Sequence, residues 1–78
     1  MDFKVYPNPA NDILFVELEN QIVHTISLID ITGRLVKTLP VDNQSSITMD
    51  LGGLNEGLYM LILKGEGSQI VTRVAIHR

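Results

Sequence analysis

Residues 54–59 of this chain read Leu-Asn-Glu-Gly-Leu-Tyr, which is the layout of a tyrosine corner. In such a corner, a buried tyrosine at the start of a strand donates its hydroxyl to a backbone carbonyl a few residues upstream. Gly57 allows the sharp bend into the strand, where a branched side chain at position 57 would be forced into the corner and unfold the domain. The motif predicts a β-sandwich and a structural, not catalytic, role for Tyr59.

The apolar pattern outside the corner also predicts strands. Apolar residues alternate with polar ones along most of the chain, without a sustained period of 3.6. We predict seven strands, at residues 3–6, 13–18, 24–30, 34–39, 46–51, 58–64 and 69–77. The predicted fold is a small, seven-stranded, immunoglobulin-like antiparallel β-sandwich. Its inward-facing residues are Leu14, Val16, Leu18, Ile26, Leu28, Ile47, Met49, Leu51, Tyr59, Leu61, Leu63, Ile70, Val74 and Ile76.

Three further segments have the composition of turns. In 6–10, Tyr-Pro-Asn-Pro-Ala, the prolines cannot donate to a ladder, so this segment must pass between sheets or around a sheet edge. Residues 30–33, Asp-Ile-Thr-Gly, fit a type I turn between the third and fourth strands, which predicts a positive φ at Gly33. The glycines of 64–68 predict a tight hairpin between the last two strands, and 40–45 is expected to be a polar surface loop.

Size and composition limit the classes of protein to which the chain can belong. Seventy-eight residues form one domain, and with two Phe, two Tyr and no Trp its core must consist of Ile, Leu and Val. The chain has no cysteine, which fits a reducing compartment or an extracellular domain that folds without disulfides. A net charge of −3, scattered along the chain, argues against nucleic-acid binding. The longest apolar run, 58–63, is far shorter than the ~20 residues of a membrane helix.

The first residues do not have the pattern of a signal peptide. Met1 directly precedes a β-like segment, and we interpret it as an engineered start on an excised fragment. If the parent protein is exported, its signal peptide lies outside this fragment.

We find no residues arranged for catalysis, so we predict that the domain is not an enzyme and has no cofactor. His24 and His77 lie on different predicted strands without a second ligand at metal-binding spacing, and we expect both to face solvent. Asp42, Asn43 and Ser45 could offer oxygens to Ca²⁺, but a bidentate Glu is missing, which favours a solvated loop without a metal.

Taken together and in order, these motifs resemble the type A C-terminal sorting domain of the type IX secretion system of Bacteroidota. The resemblance runs from Val5 to the end of the chain. The departure from the family pattern is Ile29, where an aromatic residue commonly precedes the Asp. The residues that match, and that become candidate recognition residues, are Pro7, Asn8, Pro9, Ala10, Asp30, Gly33, Arg34, Leu54, Gly57, Tyr59, and the basic residues Arg73 and Arg78 of the last strand.

This resemblance implies that residues 1–78 are a single sorting domain that follows a cargo domain absent from this sequence. Such tags follow cargo that has crossed the inner membrane, and they pass from the periplasm to the outer membrane, cell surface or exterior. The implied partners are the outer-membrane translocon, its shuttle barrel and a cell-surface sortase, which cleaves upstream of the sandwich. Neither nucleic acid nor a membrane-spanning segment is implied.

Structural needs account fully for the residue types at five motif positions, Pro7, Pro9, Gly33, Gly57 and Tyr59, without a receptor contact. Arg34 differs, because its guanidinium could bind a partner carboxylate or simply be solvated at the start of a strand. The final run, 69–78, could add to the edge of a receptor sheet.

Two other functions remain open at this stage. An immunoglobulin-like or fibronectin-like spacer would have the same fold. A carbohydrate-binding module would need exposed aromatic rings, and the four aromatic residues, Phe3, Tyr6, Phe15 and Tyr59, offer few of them.

Overall fold

The computed structural model describes residues 2–7, 9–19, 23–42 and 44–77, and these residues form an all-β domain, as predicted. The side chains of Asp2 and Glu19 are outside this description. Each strand boundary lies within one residue of its predicted position. The strands are β1 Asp2–Tyr6, β2 Ile13–Glu19, β3 Thr25–Asp30, β4 Leu35–Pro40, β5 Ser46–Asp50, β6 Gly57–Gly65 and β7 Ser68–Ile76. The described part of the chain contains no helix long and apolar enough to cross a membrane.

The strands form two antiparallel sheets, which agrees with the predicted immunoglobulin-like sandwich. One sheet has the order β1-β2-β5 and the other the order β4-β3-β6-β7. Both predicted hairpins are present, since β3 pairs with β4 and β6 pairs with β7. The pairings of β2 with β5 and of β3 with β6 join strands that are distant in sequence.

The core lies between the two sheets and contains the residues that alternation predicts. All of the predicted inward residues are buried except Ile70, which is partly buried and packs against the same cluster. Complete burial of one such aliphatic side chain stabilises the fold by about 1.5–3 kcal/mol. Three further residues join the core from turns and loops, namely Ala10, Val23 and Val41. The loop predicted at 40–45 is therefore not wholly a surface loop, because Val41 donates its N–H to the carbonyl of His24 and is buried.

The proline-containing corner carries the chain from one sheet to the edge of the other, as predicted. After β1 ends at Tyr6, Ala10 forms a parallel bridge with Ile76 in β7. Ala10 donates its N–H to the carbonyl of Ala75 at 2.8 Å and accepts the N–H of His77 at 2.8 Å. The segment after β1 is thus hydrogen-bonded to the end of β7, at one edge of the four-stranded sheet. Asn8 lies outside the described residues.

The tyrosine corner is confirmed in its hydrogen bond and in its backbone. The hydroxyl of Tyr59 donates to the carbonyl of Asn55 at 2.7 Å, and the ring is buried. Gly57, at the start of β6, has φ of 149°, a conformation that residues with a Cβ rarely adopt.

Candidate recognition surface

The outer face of the four-stranded sheet carries a row of large apolar side chains. Leu35, Ile29 and Met60 lie directly opposite one another on β4, β3 and β6, and Arg73 of β7 completes the row. Residues that pair in this way project to the same face of a sheet. This face points away from the core, so its side chains meet solvent.

Further apolar residues extend the row into a patch. Ile31, Leu58 and Val71 are exposed around it, and Ile31 is 79% exposed. We call these residues the outer patch: Ile29, Ile31, Leu35, Leu58, Met60, Ile62 and Val71. All of them except Leu35 line a shallow depression of about 620 Å³. The solvated face of an antiparallel sheet is normally polar, so a contiguous apolar area here is typical of an interaction site.

An irregularity in β4 helps to form the patch. The pairing shifts register between Leu28 and Ile29: Leu28 pairs with Lys37, but Ile29 pairs with Leu35. In a regular ladder Val36 would lie opposite Ile29. The extra residue, typical of a β-bulge, brings Leu35 onto the outer face and leaves Val36 packed against the core.

The turn between β3 and β4 is held by one carboxylate. Oδ1 of Asp30 accepts hydrogen bonds from the hydroxyl of Thr32 at 2.6 Å, from its N–H at 2.9 Å and from the N–H of Arg34 at 3.0 Å. Gly33 has φ of 89°, as predicted, and donates its N–H to the carbonyl of Asp30. This network fixes the turn that presents Ile31 beside the sheet.

The same contacts change the acidity of Asp30. Its pKa is lowered, mainly by the hydrogen bond from the Thr32 hydroxyl and then by the N–H of Arg34. Both contacts favour the charged carboxylate. The folded turn therefore favours the ionised form of Asp30.

Positive charges lie around the outer patch. Nε of Arg34 is 3.4 Å from Oδ2 of Asp30, yet its side chain is 78% exposed. Arg73 is exposed at the end of the apolar row. Lys64 is also exposed, on the same face of β6 as Met60 and two outward-facing positions beyond it. The patch thus has an apolar centre and a rim that includes three cations.

The outer face of the other sheet differs in charge and composition. It carries Glu17 and Asp50 together with Lys4. It also carries Tyr6 and Phe15, whose exposed rings stack with centroids 5.5 Å apart. This pair of rings is the aromatic surface that the structure offers to a sugar.

Some of the predicted site residues lie in or beside the depression of the outer patch, and the others lie in the corners or against the core. Asp30, Gly33, Tyr59 and Arg73 line the depression. Arg34 lies beside Asp30 on the rim of the patch. The other described candidates lie elsewhere: Pro7 and Pro9 are exposed in the corner, Ala10 is buried against β7, Leu54 is partly buried against the core, and Gly57 is exposed at the start of β6. Arg78 and Asn8 lie outside the described residues.

The apolar residues of the outer patch were not predicted as site residues. A signal for some of them is present in the sequence, because 58–63 is an uninterrupted apolar run. Tyr59, Leu61 and Leu63 are buried on one face of β6. The alternate residues of the run, which are also apolar, must therefore lie on the outer face. The remaining patch residues lie on other strands and join it only through pairing.

The histidines face solvent, as predicted. His24 precedes β3, and His77, which follows β7, has Nδ1 at 3.7 Å from Oε1 of Glu56. Within the described ranges, no cluster of three or more His, Cys, Asp or Glu side chains is arranged to hold a metal ion.

The network at Asp30 predicts a pH-dependent stability. Because its pKa is lowered by folding from an unfolded value of about 3.9, the carboxylate stabilises the fold above that pH, and the effect is lost as the pH falls through the lowered pKa. We expect Asp30→Asn to melt below the wild type at pH 7, with the gap closing as the pH falls below about 4. Thermal melts by circular dichroism measure this gap.

Thr32→Ala is the matched control for that series, because it removes the hydroxyl donor and keeps the carboxylate. It should lose part of the same pH dependence. A gap between wild type and Asp30→Asn that stays constant down to pH 2 would contradict the assignment.

Comparison with known proteins supports the family resemblance of the three turn motifs, at residues 7–10, 30–34 and 54–59. A family model described as the secretion system C-terminal sorting domain matches residues 4–77, which is nearly the whole chain. No curated protein matches the sequence.

Proposed function

The chain belongs to the type IX secretion system C-terminal sorting domains, and from this we propose that residues 1–78 form a single sorting domain attached to a cargo domain of the parent protein. Membership of this family implies attachment to a parent protein, interaction with the type IX machinery and export across the outer membrane. The family consists of sorting signals and is not catalytic. The match favours sorting over a spacer or a carbohydrate-binding module.

The finer steps of the proposal concern the route. The cargo reaches the periplasm first, and the translocon with its shuttle barrel then recognises the folded tag. A cell-surface sortase removes the tag by cleaving upstream of the sandwich. The domain itself supplies no catalytic group or cofactor to these steps.

One observation carries the proposal most strongly. The family match spans both sheets, and the turn motifs form the turns that the fold requires: the corner at Ala10, the Asp30 turn and the Tyr59 corner. A tag of this kind needs a stable shape that a receptor can contact repeatedly. Hydrogen-bonded turns on a two-sheet scaffold supply that shape.

The test is delivery of a reporter. Residues 1–78 are fused behind a signal peptide and a fluorescent protein, and surface fluorescence is compared between a strain with a working type IX system and a strain without the translocon. We expect surface delivery in the first strain and periplasmic retention in the second. Equal delivery in both strains would contradict the proposal.

A further inference from the structure

We infer that the outer patch is the surface by which this domain docks onto a protein of the secretion machinery, and that the partner offers an apolar centre bordered by carboxylates. This docking surface presupposes the sorting function proposed above. It adds the face of the domain that is used and the chemistry of its partner.

The composition of the patch is not explained by folding. Leu58, Met60 and Val71 alternate with residues that face the core, so polar residues at their positions would leave the core unchanged. Ile31 lies in a turn whose shape depends on its neighbours Asp30 and Gly33. The side chain of Ile31 is 79% exposed, and exposed apolar groups of this kind beside an apolar patch are typical of interfaces.

The charges around the patch indicate what the partner must offer. Arg34, Lys64 and Arg73 lie on or beside this face, although the whole chain has a net charge of −3. Arginine pairs well with carboxylates through its planar guanidinium. These cations are local to the patch, so they suit carboxylates held at fixed positions around an apolar centre, as on a protein, whereas a broad anionic lipid surface would also meet the negative charge of the rest of the chain.

The patch is also held in a fixed shape before binding. Its residues lie on four hydrogen-bonded strands, the shifted register places Leu35, and the Asp30 network places Ile31. Binding to such a surface loses little conformational entropy. A receptor could instead add a strand to the edge of β7. The end of that edge is less favourable for such pairing, because Ala10 already forms hydrogen bonds with Ala75 and His77 there.

A matched pair of double variants tests this surface. Leu58→Thr with Arg73→Glu changes the patch, and Ile13→Thr with Lys4→Glu makes the same kinds of change on the other sheet. Leu58 is 48% exposed and Ile13 is 44% exposed, so the two apolar changes remove similar surfaces. Threonine keeps the preference for strands.

We expect the patch variant to reduce surface delivery of the reporter at least about tenfold, while the control stays near the wild-type level. Both purified domains should show the wild-type circular dichroism spectrum. If the patch double variant is unfolded, Arg73→Glu alone is compared with Lys4→Glu alone, with the same expectation in direction.

The outcomes separate the two proposals. A wild-type tag that is delivered equally without the translocon contradicts the sorting function itself. A second result is that delivery of the wild-type tag depends on the translocon while the patch variant is delivered normally, or while both variants are reduced equally. Either result contradicts the docking surface but not the sorting function. Two further results would also contradict the docking surface. If the wild-type domain sediments as a dimer and the patch variant does not, the patch binds a second copy. If the wild-type domain binds anionic phosphatidylglycerol vesicles and the patch variant does not, the patch binds lipid.

Discussion

Gly57→Val is expected to unfold most of the domain. At a φ of 149°, a β-branched residue is strained, and we expect a cost of about 3 kcal/mol. A domain of this size rarely has a stability of more than about 3–5 kcal/mol. Circular dichroism and thermal melting of the purified variant measure the effect.

The physical reason differs from the one that the sequence suggested. A Cβ built at Gly57 has no heavy atom within 4 Å, so a branched side chain has open space at this corner. The expectation of a crowded corner is wrong, and the cost comes from the backbone conformation. Gly57→Ala should therefore also destabilise the domain.

Arg34→Ala is the control for this prediction. Its side chain is exposed, and an exposed ion pair such as the one with Asp30 contributes little to stability. The backbone N–H that bonds to Asp30 remains in the variant. We expect Arg34→Ala to stay folded, and a stable Gly57→Val beside an unfolded Arg34→Ala would contradict both assignments.

Deletion of residues 75–78 is the second change with a large expected effect. It removes Ile76, whose burial contributes about 1.5–3 kcal/mol, and both hydrogen bonds to Ala10, each worth about 0.5–1.5 kcal/mol. The loss approaches the whole stability of a domain of this size. We expect the truncated chain to be unfolded by circular dichroism and rapidly cleaved by a protease.

His77→Ala is the control, because it keeps Ile76 and the backbone N–H that donates to Ala10. We expect this variant to resist the protease like the wild type. A truncated chain as stable as the full domain would contradict the prediction. If the truncated chain is unfolded, its loss of secretion reports the loss of folding and not the loss of a receptor contact. Substitutions on the outer patch, which we expect to leave the domain folded, test the receptor contact.

Local patterns predicted the strands and turns because their causes are local. Alternation requires one buried face per strand, and the type I turn requires the positive φ of Gly33. The tyrosine corner lies within six residues, so its hydrogen bond from Tyr59 to Asn55 could be predicted. These features depend on neighbours in the sequence.

The features that escaped prediction depend on distant residues. Burial of Val41 follows from its bond to His24, and burial of Ala10 follows from its bridge to Ile76. The register shift in β4 decides whether Leu35 or Val36 faces outward, and alternation cannot reveal it. The outer patch could not be assembled from the sequence for the same reason, since its residues come from four strands and a turn.

The parallel bridge between Ala10 and Ile76 has a consequence for when the domain can fold. One partner follows the first strand, and the other is the last residue of the seventh. A chain still emerging from a pore, or shortened by a protease, lacks the end of β7, so the corner at Ala10 loses both hydrogen bonds to this strand end. Closure of the sandwich thus depends on the arrival of an intact tail.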